Sequence, residues 1–106
     1  MDIQLNQKDF QKTIESNKKV LIDFYADWCG PCQTLLPTVH KLADEFEGDV
    51  LIKKVNVDQN SELAASFGVR SIPTLVYISN GEEINRQNGL ISEGDLRAQI
   101  NNLKTA

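Results

Sequence analysis

The sequence predicts an α/β fold: a central, mixed, five-stranded β-sheet flanked by four α-helices. Three observations carry this. Short apolar runs of strand length alternate along the chain with apolar stripes at helical spacing. A nearly continuous apolar run at residues 20–26 and a second predicted strand at 50–57 bracket a long helical stripe, which makes a βαβ unit. Finally, Asn80-Gly81 follows the apolar run at residues 75–78 and marks a tight antiparallel hairpin. At 106 residues the chain is sized for one domain, residues 1–106, around one core.

Each element has its own signal. Ile3 and Leu5 predict a short first strand, and Asn6 can cap a helix over residues 7–17 with Phe10 and Ile14 on one face. Residues 20–26 hold one charge, Asp23, in an otherwise apolar run, the pattern of a central strand covered on both faces. Leu35, Val39, Leu42 and Phe46 recur at spacings of 4, 3 and 4, and Gly48 marks the stop. Pro37 falls inside this helix and cannot donate to the carbonyl of Gln33, so a kink is expected there. Residues 60–67 predict a short helix ended by Gly68, residues 75–78 a strand, and Ile84 the start of the return strand. The last helix opens with Ser92 and Asp95 at capping-box spacing, and Leu96, Ile100 and Leu103 form its apolar face.

Charge and composition exclude whole classes of function. The chain has 11 Lys and Arg against 15 Asp and Glu, a net charge of -4, without the basic footprint of a nucleic-acid binder. Lys18-Lys19 and Lys53-Lys54 are its only adjacent basic pairs and read as solvated surface charge. No apolar run is long enough to span a membrane. The opening residues, Met-Asp-Ile-Gln-Leu-Asn, are neither basic nor apolar in the manner of a signal peptide. The expectation is a cytoplasmic monomer with neither nucleic acid nor membrane as partner. Cysteine usage agrees, because a small secreted domain tends to carry several spaced cysteines, whereas this chain has two, three positions apart.

Those two, Cys29 and Cys32, carry the chemistry. They sit where the buried strand ends and the long helix begins. A helix N-terminus presents unpaired N–H groups and partial positive charge, so a Cys29 thiolate there is stabilised. Gly30 and Pro31 fill the turn, with Pro31 suited to the first helical position. Cys32 falls one turn on, on the same face, so the outer thiol attacks and the inner one resolves. A structural staple is a poor alternative, since a four-residue loop gains only about 2 kcal/mol. Structural zinc needs four ligands, and there is neither a second cysteine pair nor a metal-ligand set. The sole histidine, His40, reads as a surface helix residue rather than a ligand or a protease-style base. Redox use of the pair is the favoured reading. The runner-up is a binding module that needs no turnover, and it alone would survive replacement of both cysteines by serine.

Three further residues draw notice. Asp23 is expensive if it points into a core, and a strand end or half-exposed face is the plain alternative. Burial would raise its pKa toward neutrality and let it take a proton from Cys32, with Lys54 on the next strand moderating the shift. Pro73 opens an apolar strand, and its peptide bond is trans by base rate. Trp28 precedes Cys29 with nothing to fix its exposure.

At these residues the sequence resembles the thioredoxin family, over essentially the whole chain. The match runs through Asp23-Phe24-Tyr25-Ala26-Asp27-Trp28-Cys29-Gly30-Pro31-Cys32, Pro37, Asn56-Val57-Asp58, Ser71-Ile72-Pro73-Thr74, Asn80-Gly81 and Gly89. The resemblance implies a thioredoxin fold and protein-disulfide reduction by the Cys29–Cys32 pair, with that disulfide as the only redox group. It implies that Ile72–Pro73 is a cis bond packed beside the dithiol and that the Ile72 backbone pairs with an extended substrate segment. Trp28, Gly30, Pro31 and Gly89 would complete an apolar contact surface. Asp23 would be the family's buried acid and Lys54 its neighbouring lysine. Substrates would be disulfide-containing proteins, and an NADPH-dependent flavoprotein thioredoxin reductase would regenerate the dithiol. Gly30 and Pro31 between the cysteines match the reducing members, whereas oxidases and isomerases usually carry histidine there. Gln33 stands where many members have a basic residue, which weakens the positive field the resemblance implies at the site; Ser71 stands where glycine is frequent and Asn88 where an apolar residue is frequent, which makes the rim of the surface more polar.

Overall fold

The computed structural model describes residues 2–106. The elements are α1 (Gln7–Ser16), β1 (Lys19–Tyr25), α2 (Gly30–Glu45), β2 (Leu51–Asn56), α3 (Ser61–Ser66), β3 (Thr74–Ser79), β4 (Glu82–Asn88) and α4 (Glu93–Lys104). The strands form one sheet in the order β2-β1-β3-β4. β1 runs parallel to β2 and antiparallel to β3, which pairs antiparallel with β4. The two central strands are therefore covered on both faces, which is why β1 and β3 are almost wholly buried and read as apolar runs. Asn80 and Gly81 both adopt positive φ, 52° and 82°, the backbone that a two-residue turn needs to match strand twist.

The pleat of β1 divides the core. Val20, Ile22 and Phe24 pack toward Phe10 and Ile14 of α1 and Ala64 of α3. Leu21 faces the other way with Ile52, Leu75 and Tyr77, under Leu35, Val39 and Leu42 of α2 and Leu96, Ile100 and Leu103 of α4. By the same alternation, Asp23 points to the α2 side.

The structure corrects the sequence reading in three places. The sheet has four strands, not five. The segment at Ile3 and Leu5 makes only an isolated parallel bridge, Gln4 to Lys54, closed by two backbone hydrogen bonds of 2.9 Å. Ile3 and Leu5 are two apart, yet they pack into opposite halves of the core. The chain thus wraps the edge of β2 instead of running along it as a pleated strand. The return strand begins at Glu82, not Ile84. Tyr77 lies opposite Asn85 and Ile78 opposite Glu83, so Ile84 is the extra residue of a β-bulge and is exposed. Asn6 holds the N-cap position of α1 but makes no side-chain cap bond. The Gln7 N–H donates instead to Oδ1 of Asn60 at 2.7 Å, while the Leu63 N–H donates to Oε1 of Gln7 at 3.1 Å. The two helices on that face cap one another.

The α2 helix runs for 16 residues through Pro37, and Ser92 caps α4 as expected, accepting from the Asp95 N–H at 3.1 Å.

Candidate active site

β1 ends at Tyr25, and Ala26, Asp27 and Trp28 lead directly into α2. Cys29 is the N-cap of α2, and its Sγ accepts the backbone N–H of Cys32 at 3.2 Å. Gly30 and Pro31 make the first two helical positions, so Pro31 comes second rather than first. Its missing N–H is harmless at either place. Cys29 and Cys32 are joined as a disulfide, with Cα atoms 5.2 Å apart. The two sulfurs differ in access: Cys29 keeps 5% of its surface exposed and Cys32 none. A partner can therefore reach Cys29 first.

Distant segments meet at this point. The Ile72–Pro73 bond is cis, as the family resemblance implies, and the Ile72 carbonyl oxygen lies 3.8 Å from Cys29 Sγ. Gly89 donates its N–H to the Pro73 carbonyl at 2.9 Å and holds φ at +82°, a conformation that a side chain would strain. The loop after β4 is thus fastened to the loop before β3, beside the dithiol. Trp28 is 73% exposed, yet its indole N–H donates to Oδ2 of Asp58 at 2.8 Å, so the ring is held on the surface. A shallow cleft of about 170 Å³ runs past it, lined by Val57, Val69, Arg70, Ser71 and Ile72. A larger hollow of about 570 Å³ lies at the opposite end of β1, between Lys18, Lys53 and Lys104, and no cysteine lines it. The dithiol serves an open surface, which suits a macromolecular substrate better than a small enclosed one.

Two residues before the end of β1 lies Asp23. It is fully buried, and neither carboxylate oxygen has a hydrogen-bond partner. It precedes Tyr25 by two residues on the face where Tyr25 packs with Cys32. Burial pushes its pKa from 3.8 up to about 7, and the charge of Lys54 pulls the other way. Lys54 is its register neighbour on β2. The Lys54 ammonium makes no ion pair with Asp23. It lies 3.3 Å from Nε2 of His40 and 5.4 Å from the centre of the Tyr25 ring. Among the described residues, no group of three His, Cys, Asp or Glu side chains is arranged to hold a metal ion.

The comparisons with known proteins agree with this geometry. The family model described as Thioredoxin matches residues 2–102. The chain belongs to the thioredoxin family. It is 44% identical over 100 residues to a thioredoxin of Haemophilus influenzae, covering 93% of this chain and 94% of that one. It is 41% identical over 98 residues to a thioredoxin of Chlorobaculum thiosulfatiphilum, covering 92% and 91%. Among solved structures, a mutant thioredoxin from Halobacterium salinarum superposes with a TM-score of 0.89 at 39% identity, covering 97% of this chain and 90% of that one. Thioredoxins are protein-disulfide oxidoreductases, and here the redox group is the Cys29–Cys32 pair itself. Disulfide-containing proteins are the substrate class the family implies.

The thioredoxin geometry also gives residues contacts that the sequence did not show. Asp58 stood in a matched run, but its bond to Trp28 spans 30 residues and no local pattern shows it. Gln33 donates from Nε2 to the Ala26 carbonyl at 3.3 Å, tying the start of α2 to the end of β1. Asn88 sets its Oδ1 3.0 Å from the Thr74 hydroxyl, so part of its polarity is spent within the sheet rather than on the rim. His40 lies eight residues after Cys32 with Leu36 between, a helical spacing visible in the sequence once Lys54 is known to face it.

Proposed function

We propose that this chain acts as a reductant of protein disulfides, with Cys29 the attacking thiolate and Cys32 the resolving thiol. The carrying observation is the asymmetry of the pair: Cys29 Sγ caps a helix N-terminus, accepts the Cys32 amide and keeps the only access. In the reduced protein these features favour the thiolate at Cys29. The thiolate attacks one sulfur of the substrate disulfide; that S–S bond breaks, the other sulfur leaves and takes a proton, and a mixed disulfide forms. Cys32 then gives its proton to the ionised Asp23 carboxylate and attacks Cys29. The second substrate sulfur leaves and takes up the proton held by Asp23; two electrons have passed from dithiol to substrate, and the proton that the first sulfur took from solvent balances the one Cys29 released on ionising. A base with a pKa near the working pH is well matched to that transfer.

Substrate docking follows from the same surface. Trp28, Gly30, Pro31 and Gly89 give apolar contact, and the Ile72 backbone beside cis-Pro73 offers hydrogen-bonding groups to an extended segment. Gly30 and Pro31 between the cysteines favour the reducing direction over oxidase or isomerase work. An NADPH-dependent flavoprotein thioredoxin reductase returns the electrons, and residues 1–106 act as one monomeric domain in the cytoplasm. Trapping tests the roles. A Cys32→Ser variant, mixed with a disulfide-bonded protein such as insulin, should accumulate a mixed disulfide through Cys29. Accumulation by Cys29→Ser through Cys32 instead would reverse the assignment.

A further inference from the structure

His40 is the one histidine of the chain, and the redox chemistry above does not use it. Its Nε2 lies 3.3 Å from an ammonium, which has donors and no lone pair. The contact is a hydrogen bond only if Nε2 accepts, so the ring is neutral with its proton on Nδ1. Burial lowers the His40 pKa and the Lys54 charge lowers it further, against the smaller upward pull of Asp44 on its own helix and of Asp2. The neutral, accepting form is therefore the one that prevails near neutral pH.

The far side of Lys54 is also fixed. Its ammonium stands over the Tyr25 ring, whose hydroxyl donates to Oε1 of Gln4 at 2.8 Å. A lysine at a sheet edge otherwise has a long, mobile stem and a strongly hydrated head. Here α2, β1 and the amino-terminal segment close around it, and it shares the register position of Asp23. The charged group that acts on Asp23 is Lys54, its register neighbour on β2. We propose that His40 is a positioning residue for the resolving step: its imidazole anchors the Lys54 ammonium beside Asp23, near enough to act by charge and too far to form an ion pair. The arrangement has a use. A direct ion pair would hold the carboxyl ionised and unfit to keep the Cys32 proton, whereas a released lysine would leave the buried charge uncompensated.

The proposal rests on Asp23 as the proton acceptor, and its test separates the two. The Asp23 carboxyl is titrated by carbon NMR in the oxidised protein, a readout independent of turnover. His40→Leu removes the acceptor and should raise the Asp23 midpoint by roughly 0.5–1 pH unit. His40→Gln keeps an acceptor and should stay close to wild type. Lys54→Met should raise the midpoint at least as far as His40→Leu, and adding His40→Leu to it should change nothing more. The pH profile for resolution of the mixed disulfide should move with the titration. An unchanged or lowered midpoint in His40→Leu overturns the proposal, as does an additive effect in the Lys54→Met background. A normal resolution rate in Asp23→Asn would instead sink the role of Asp23 and leave the anchoring result to be read on its own.

Discussion

Asp23 is where one side chain weighs most on the whole. Its carboxyl prefers the proton in the folded chain, with a pKa of about 7 against 3.8 when exposed. Below the lower value both folded and unfolded forms are protonated and the group costs nothing. Between the two, the unfolded chain releases its proton while the folded one retains it, so stability falls as pH rises; above about 7 the full penalty persists. Asp23→Asn keeps the shape and cannot ionise. In urea unfolding of the oxidised protein, the variant should exceed wild type by roughly 2–4 kcal/mol at pH 8, with the gap closing by pH 4. A gap of the same size at both values would mean that ionisation is not its cause. The sequence marked Asp23 because a charge inside an apolar run is conspicuous. That it lacks any hydrogen-bond partner, and that Lys54 turns to His40 instead, depends on which rotamers fill the space under α2.

Among the elements, the helices were legible wherever their signals were local. The Ser92 cap, the Gly48 and Gly68 stops and the Asn80-Gly81 turn all lie within a few residues of what they control, and each is where the sequence placed it. The α1 cap was misread because its partner comes from far along the chain. Asn60 accepts from Gln7 across 53 residues, and its own Nδ2 donates to the Asn56 carbonyl at 3.0 Å. Asn60 is buried, so truncating it leaves both groups unpaired. Asn60→Ala should lower stability by about 1–2 kcal/mol, measured by the urea midpoint, whereas Asn6→Ala should change it by less than about 0.5 kcal/mol. The reverse order would restore the local cap. The missing fifth strand has a similar origin, because Ile3 and Leu5 satisfy apolar alternation on paper while the chain turns between them.

At the scale of the molecule, the sheet order brings three loops together: the start of α2, the turn before β3 and the turn after β4. The sequence carried the motif in each, and the resemblance supplied their meeting. What periodicity could not supply is the exposure of Trp28, whose indole N–H is held by Asp58 on the surface. On the proposed reading, this open surface around one accessible sulfur is where other proteins meet the chain. Gln33 replaces a frequent basic residue there and spends its amide on the Ala26 carbonyl, so the thiolate relies on the helix N-terminus and the Cys32 N–H rather than on a nearby cation. The direction of electron flow rests on whether those groups suffice, and the reduction potential of the Cys29–Cys32 pair measures it. Equilibration with glutathione or a dithiol buffer should give a value more reducing than roughly -230 mV, at or below the cytosolic glutathione poise. A value near about -120 mV, in the range of a dedicated oxidant, would contradict the account.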